Sequence, residues 1–206
     1  AFYVLAQLDA SRAIVLCKKE SEDIRVSVIR ALKGSNKKGL HDLLDQLSTD
    51  TSKQVCREIA IAIRDLPYHQ SKKYIAQLLK EYPQNDRWYD ATFAIACDGK
   101  EDSVYNELIL PNLSDEKWED KLVLQLFTLH AKSSVSKLAH QVALQSSENK
   151  SKLITAIAFI QDSLALKAML SLAKNKDSLV ASQAFWWLNF RKNNDIVSTT
   201  DSTRST

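Results

Sequence analysis

Four histidines and three cysteines are the side chains in this sequence best suited to metal or nucleophilic chemistry, and their spacing supports neither. His41, His69, His130 and His140 are scattered, with no H-x-x-x-H pair to set two imidazoles on one helical face and none beside a cysteine pair. Cys17, Cys56 and Cys97 form no C-x-x-C and leave at least one thiol unpaired. All three lie within apolar helical patterns, which reads them as small core residues and leaves the redox compartment open. No Cys-Xaa-Xaa-Cys-His run offers covalent haem attachment. No G-x-S-x-G occurs, and three glycines cannot build a Walker loop or a G-x-G-x-x-G turn. The carboxylate pairs Glu20/Asp23 and Glu116/Asp120 fall at expected helix starts, where acids complement the helix dipole, so capping accounts for them better than acid–base catalysis. His130 follows Leu129 at an expected helix end, where a donor side chain can serve the last carbonyls. The expectation is a chain with no catalytic residue, no cofactor and no metal of its own.

Recognition chemistry has more support. Arg25, Arg57, Arg64 and Arg87, with Arg30 and Lys121, recur on or beside the second helix of successive repeats and could present a surface to an acidic partner. Glu58, Asp65, Asp90 and Glu119 are interspersed among them, which makes a solvated mixed face the simpler reading and argues against a continuous phosphate track. A net charge of +3 does not by itself imply nucleic acid or a membrane surface. The run Phe185-Trp186-Trp187-Leu188-Asn189-Phe190 is the most specific local feature. Adjacent helical tryptophans point about 100° apart, so both cannot face one stripe. With Trp187 at the core position, Trp186 caps the end of the stack, meets another domain or stacks on a ligand.

The elements that position these residues follow from composition and periodicity. Three Gly and three Pro in 206 residues are too few for the hairpins and bulges of a sheet-rich fold. No apolar run approaches the ~18 residues of a membrane-spanning helix. Ile24, Val28, Ala31 and Leu32 mark one helical face, and the pattern recurs. It returns at Val55, Ile59, Ala62 and Ile63; at Trp88, Thr92, Ile95 and Ala96; and at Trp118, Leu122, Gln125 and Leu126. Two further copies fall at Asn149, Leu153, Ala156 and Ile157, then Val180, Ala184, Trp187 and Leu188. Of these 24 positions 21 are apolar, against about 11 expected from composition, so the period is genuine. Asn149 is the weakest member, and a register of Lys152, Ala156, Phe159 and Ile160 competes with it.

Shorter amphipathic stretches separate these helices: Ser11–Lys18, Lys38–Leu47, Ser71–Glu81, Ser103–Leu110, Ser134–Leu144 and Ser163–Ala173. Each repeat reads as helix A, turn, helix B. Asp23, Ser52, Asp86, Asp115 and Asp177 stand as expected N-caps of B helices, with Asp9 and Asp162 before A helices. A period near 31 fits two helices of ~12 residues and their turns. The fold expected is all-α: a right-handed α-solenoid, HEAT/ARM-like, of about six antiparallel helix pairs over residues 1–190. Residues 191–206 form a polar tail or linker whose composition cannot offset its ordering entropy. The chain opens in mid-pattern on Ala1-Phe2-Tyr3-Val4-Leu5, which suggests a piece of something longer.

Ile24-Arg25 with Ala31-Leu32, and Val55-Cys56-Arg57 with Ala62-Ile63, resemble the degenerate HEAT signature. Three stretches go further: Arg57 through Pro67, Asp86-Arg87-Trp88-Tyr89 with Ala94 through Glu101, and Trp187 through Asp195. With Leu126-Phe127-Thr128-Leu129-His130, they resemble the helical-repeat segment of planctomycete-type membrane-bound dehydrogenases. In those large exported bacterial proteins a sugar-dehydrogenase-like β-propeller is followed by HEAT repeats and a c-type haem domain. The resemblance covers residues 20–195 and its motifs are structural, so no functional residue transfers. It implies a periplasmic or cell-envelope scaffold, a protein-binding spacer between neighbouring domains, with no nucleic acid and no membrane insertion. The competing expectation is a HEAT-like nucleic-acid enzyme of DNA-glycosylase type, using Trp88, Trp118, Asp90 and Asp120 with nearby arginines; it requires a clearly basic groove.

Overall fold

A computed structural model of the chain describes the backbone of residues 1–202 except 36, 84 and 85, and the side chains of those residues except 37, 38 and 193–202. Among the described residues there are thirteen α-helices and no strand. No helix there is long and apolar enough to cross a membrane. The chain divides into two compact units, Ala1–Val104 and Tyr105–Thr206.

The first unit holds α1 (Phe2–Leu8), α2 (Ala10–Cys17), α3 (Glu22–Ser35), α4 (Lys37–Gln46), α5 (Lys53–Ala62), α6 (Tyr68–Lys80), α7 (Arg87–Cys97) and the short α8 (Glu101–Val104). α1 packs on α3, α3 on α5 and α5 on α7, making one row. α2 packs on α4, and α2, α4 and α6 lie against the members of that row. The second unit begins with a π-helical turn (Tyr105–Ile109) and a 3-10 turn (Leu110–Asn112). Then come α9 (Asp120–Leu129), α10 (Val135–Val142), α11 (Ser147–Phe159), α12 (Ser163–Leu172) and α13 (Ser178–Ser202). Here α9 packs on α11 and α11 on α13, while α10 packs on α12. A helix therefore meets its next-but-one neighbour in sequence, as a period of two helices requires.

Most of the expected caps are in place. Asp9 accepts from the Arg12 amide at 3.0 Å, Asp86 from those of Trp88 and Tyr89 at 3.1 Å, Asp162 from Leu164 at 2.7 Å and Asp177 from Leu179 at 3.1 Å. Ser52 accepts from Val55. Each satisfies a first-turn N–H that has no partner within its helix. Asp23 lies inside the first turn of α3 instead. Asp115 stands five residues ahead of α9 and pairs with Lys137. His130 does end α9, but through its backbone: it adopts φ 53°, and its N–H donates to the Leu126 carbonyl at 3.3 Å.

Four expectations need correction. In the third repeat the buried residues are Tyr89, Phe93, Ala96 and Cys97, whereas Trp88 is 65% exposed and Ile95 is exposed. The step from Val55 is 34, not 33, because Trp88 and Tyr89 are both large and apolar and periodicity alone does not choose between them. Trp118 is buried but precedes α9, in an irregular segment where its indole Nε1 donates to the Ser114 carbonyl at 2.8 Å. The fourth A helix shrinks to α8 and the π and 3-10 turns. Finally, α13 continues as backbone helix to Ser202, into the expected tail, since propagating a nucleated helix costs little; residues 203–206 of that tail lie outside the described residues.

Asn149 holds its expected place. It is buried, and its Nδ2 donates to Asp120 Oδ1 at 2.7 Å. Gln145 donates to Gln141 Oε1 at 2.8 Å, and Gln141 donates to the Asp115 and Glu116 carbonyls at 3.2 and 2.7 Å. This relay supplies the polar partners that the irregular segment before α9 would otherwise lack. In the first unit, Lys100 performs a similar task. Its buried ammonium donates to the Ala96 carbonyl at 2.8 Å and the Arg64 carbonyl at 2.7 Å, closing the last turn of α7 and the chain just past α5 with one side chain.

Candidate interaction surfaces

On the side of the α3–α5–α7 row away from α2, α4 and α6 runs a groove of about 440 Å³. Arg30 and Asp23 come from α3, Arg57, Glu58 and Ile61 from α5, and Trp88 and Thr92 from α7. These positions fall four or so residues apart on each helix, which is why one face of each contributes. Glu58 is buried, not solvated as its place among the arginines suggests. Its Oε2 accepts from Arg30 Nε at 2.9 Å and lies 2.8 Å from Arg30 Nη2 in an ion pair across the α3–α5 seam. That pairing holds the Arg30 guanidinium above its already high ordinary pKa, through the hydrogen bond first and the charge of Glu58 second. Arg57 lies 3.7 Å from Asp86, whose oxygen is already engaged as the α7 cap. The Arg87 guanidinium lies 5.5 Å from the centroid of the exposed Trp88 ring, which gives the groove an indole wall with a cation on it.

The five residues expected to form an interaction surface thus have different surroundings. Arg57 lines the groove and Arg87 covers its tryptophan wall. Arg25 is mostly buried: its Nε lies 2.7 Å from Asp50, and its Nη1 donates to the Glu20 carbonyl at 2.6 Å. It pins the turn before α3 to the turn before α5. Arg64 is exposed and pairs with its neighbour Asp65 at 2.8 Å. Trp186 belongs to the second unit.

There it forms part of an aromatic ridge the sequence reading did not assemble. Phe127 of α9 lies 6.0 Å from His130, His130 5.6 Å from Phe159 at the end of α11, and Phe159 5.3 Å from Trp187 of α13. Trp187 meets Trp186 edge-on at 4.8 Å, and Trp186 stacks on Phe190 at 5.4 Å with planes 14° apart. Trp187 is only partly buried, while Phe159, Trp186 and Phe190 are exposed. Arg191 Nη2 donates to the Ile160 carbonyl at 3.3 Å and ties α13 to the end of α11 beside the ridge. The aromatic run of α13 points to Trp186, Trp187 and Phe190, and Phe159 stands in the competing register, of which the core uses Ala156 and Ile160.

Among the described residues no three His, Cys, Asp or Glu side chains cluster as metal ligands. The three thiols are buried, and burial pushes Cys17 and Cys56 up to about 11 and Cys97 to about 12. Glu116 lies in the irregular segment before α9, and Asp120, in the first turn of α9, accepts from Asn149. In comparisons with known proteins, no family model, no curated protein and no solved structure matches this chain.

Proposed function

We propose that the chain is a non-catalytic interaction module, a right-handed HEAT-type solenoid of about six helix pairs, whose B-helix rows present the docking face. The two-row packing within each unit supports the solenoid reading. The observation that carries the docking reading is the aromatic ridge, where Phe159, Trp186 and Phe190 stay in water although burying a large aromatic elsewhere in the chain gives 2 kcal/mol or so. Exposed apolar clusters of this kind mark partner surfaces. The groove charges are mixed, Asp23 and Glu58 against Arg30 and Arg57, which favours a protein partner over a phosphate backbone.

On the resemblance set out above, the partner is a neighbouring domain of a larger exported dehydrogenase–cytochrome protein, and the segment is its spacer in the cell envelope. A photo-cross-linking residue at Trp186 or Trp88 in the full-length protein tests this. Cross-links from either position to a specific surface of a flanking domain or partner are expected. A segment that gives none, while controls inside the core do, has no docking role.

A further inference from the structure

Arg57 of α5 lines the groove with its side chain only 29% exposed, yet its guanidinium is poorly served. Among the described residues its ion-pair neighbour is Asp86 Oδ1 at 3.7 Å, beyond hydrogen-bond reach. That oxygen already accepts the amides of Trp88 and Tyr89 at 3.1 Å each. The fork of Arg57 therefore stands at the first turn of α7 with its N–H donors unspent among the described residues. Arg30 differs, since the buried Glu58 engages it. Arg87 lies against the Trp88 ring and makes no hydrogen bond to a described acceptor through its guanidinium. Ile61, one turn past Arg57 on α5, lines the same groove as the exposed Trp88. Side chains one helical turn apart start about 6 Å from each other. In an extended peptide, alternate side chains share one side at a spacing of about 6.6 Å.

Building on the docking reading of the B-helix face, we propose that this groove binds an extended peptide segment carrying a carboxylate side chain two residues from a bulky apolar one. The carboxylate is taken by the Arg57 fork, and the apolar side chain lies against Trp88 and Ile61. A guanidinium matches a carboxylate in plane and charge and can hold both its oxygens at once. Part of the Arg57 side chain is already withdrawn from water, so an acceptor arriving there replaces hydration the fork has lost. Arg87 adds positive charge at the same end of the groove. Asp23 and Glu58 line the groove as well, and a chain of phosphates laid along it meets both. A single acid among neutral residues satisfies Arg57 without that repulsion, which favours a peptide over a nucleic acid.

Panning a phage library of random peptides against the whole chain tests this, with Arg57→Gln, Trp88→Ala and Trp186→Ala as variants whose fold is verified by circular dichroism. The enriched peptides are expected to carry Asp or Glu two residues from Leu, Phe or Trp. A fluorescein-labelled peptide of the enriched sequence should bind the Arg57→Gln chain about tenfold or more weakly than the native chain, read by fluorescence anisotropy. Changing the peptide's own acid to its amide should cost a similar factor on the native chain and almost none on Arg57→Gln. That coupling requires a direct contact, and a merely structural Arg57 does not produce it. Enriched peptides without an acid, or two losses that simply add, overturn the proposal. So does tighter binding of the peptide with phosphoserine in place of its acid, or of a short single-stranded DNA. Peptides lost on Trp186→Ala but indifferent to Trp88→Ala overturn it as well, and leave docking to the ridge. A native chain that enriches no peptide also overturns it, while cross-links from Trp88 or Trp186 to a flanking domain would still uphold the docking reading.

Discussion

Replacing Lys100 by methionine isolates the clamp between the ends of α5 and α7. Methionine keeps most of the apolar stem, so the change removes the ammonium and its two bonds to the Ala96 and Arg64 carbonyls. A hydrogen bond from a charged donor contributes roughly 1.5–3 kcal/mol. Two such bonds, less the desolvation that the buried ammonium no longer suffers, leave a net loss of about 2 kcal/mol. In a unit of this size that lowers Tm by about 10 °C. Differential scanning calorimetry of native and variant chains measures it directly. The pH dependence gives a second reading with a fixed sign. Burial holds the Lys100 pKa below the ordinary lysine value, against the opposing pull of Cys97, Asp98, Asp65 and Glu101. Between the folded and unfolded values the unfolded chain binds more protons, so the Lys100 contribution to stability rises as pH climbs from the folded pKa towards the unfolded value. The gap between native and variant must widen over that range; tyrosine and cysteine titrations are common to both and cancel. A Tm loss under a degree or two refutes the clamp, and a gap that narrows as the solution becomes alkaline refutes the lowering of the Lys100 pKa by burial.

Two more outcomes follow from the packing. Phe93→Ala should cost about 3–5 kcal/mol and Trp88→Ala under about 1 kcal/mol in urea denaturation, because Phe93 is buried and Trp88 lies on the groove wall; the reverse order would restore the register that the repeat alone suggests. In the folded chain Cys17, Cys56 and Cys97 should not react with a thiol reagent at neutral pH, and all three should react in guanidinium, since burial raises each well above an ordinary thiol. A fast-reacting thiol in the native state would contradict the burial.

Much of the helical layout was legible because capping and amphipathicity are local. Asp9, Ser52, Asp86, Asp162 and Asp177 could be named as caps from their place before an apolar period. The third register was not, since Trp88 next to Tyr89 offers two equal hydrophobes 100° apart, and only the neighbouring helix selects one. Asn149 looked like a flaw in the period; its amide is paired with Asp120, across from another helix, and no single-helix pattern contains that information. Of the interaction residues, Arg57, Arg87 and Trp186 could be listed but not grouped. The ridge joins residues 127, 130, 159, 186, 187 and 190 through contacts between helix ends far apart in sequence. Arg25 shows the converse: an arginine on a repeated position whose charge is used up on Asp50.

The π-helical turn at Tyr105–Ile109 bears on how the repeat tolerates changes in length. An i→i+5 bond encloses one residue more than the α-helical bond, so it stores an inserted residue within a helix instead of expelling it into a loop. Tyr105 and Ile109 both remain buried across that wider turn, so the surplus falls on the exposed Asn106 and Glu107 between them. The turn acts as a phase shifter. It marks a position where the spacing of this chain can change by a residue while Tyr105 and Ile109 stay buried.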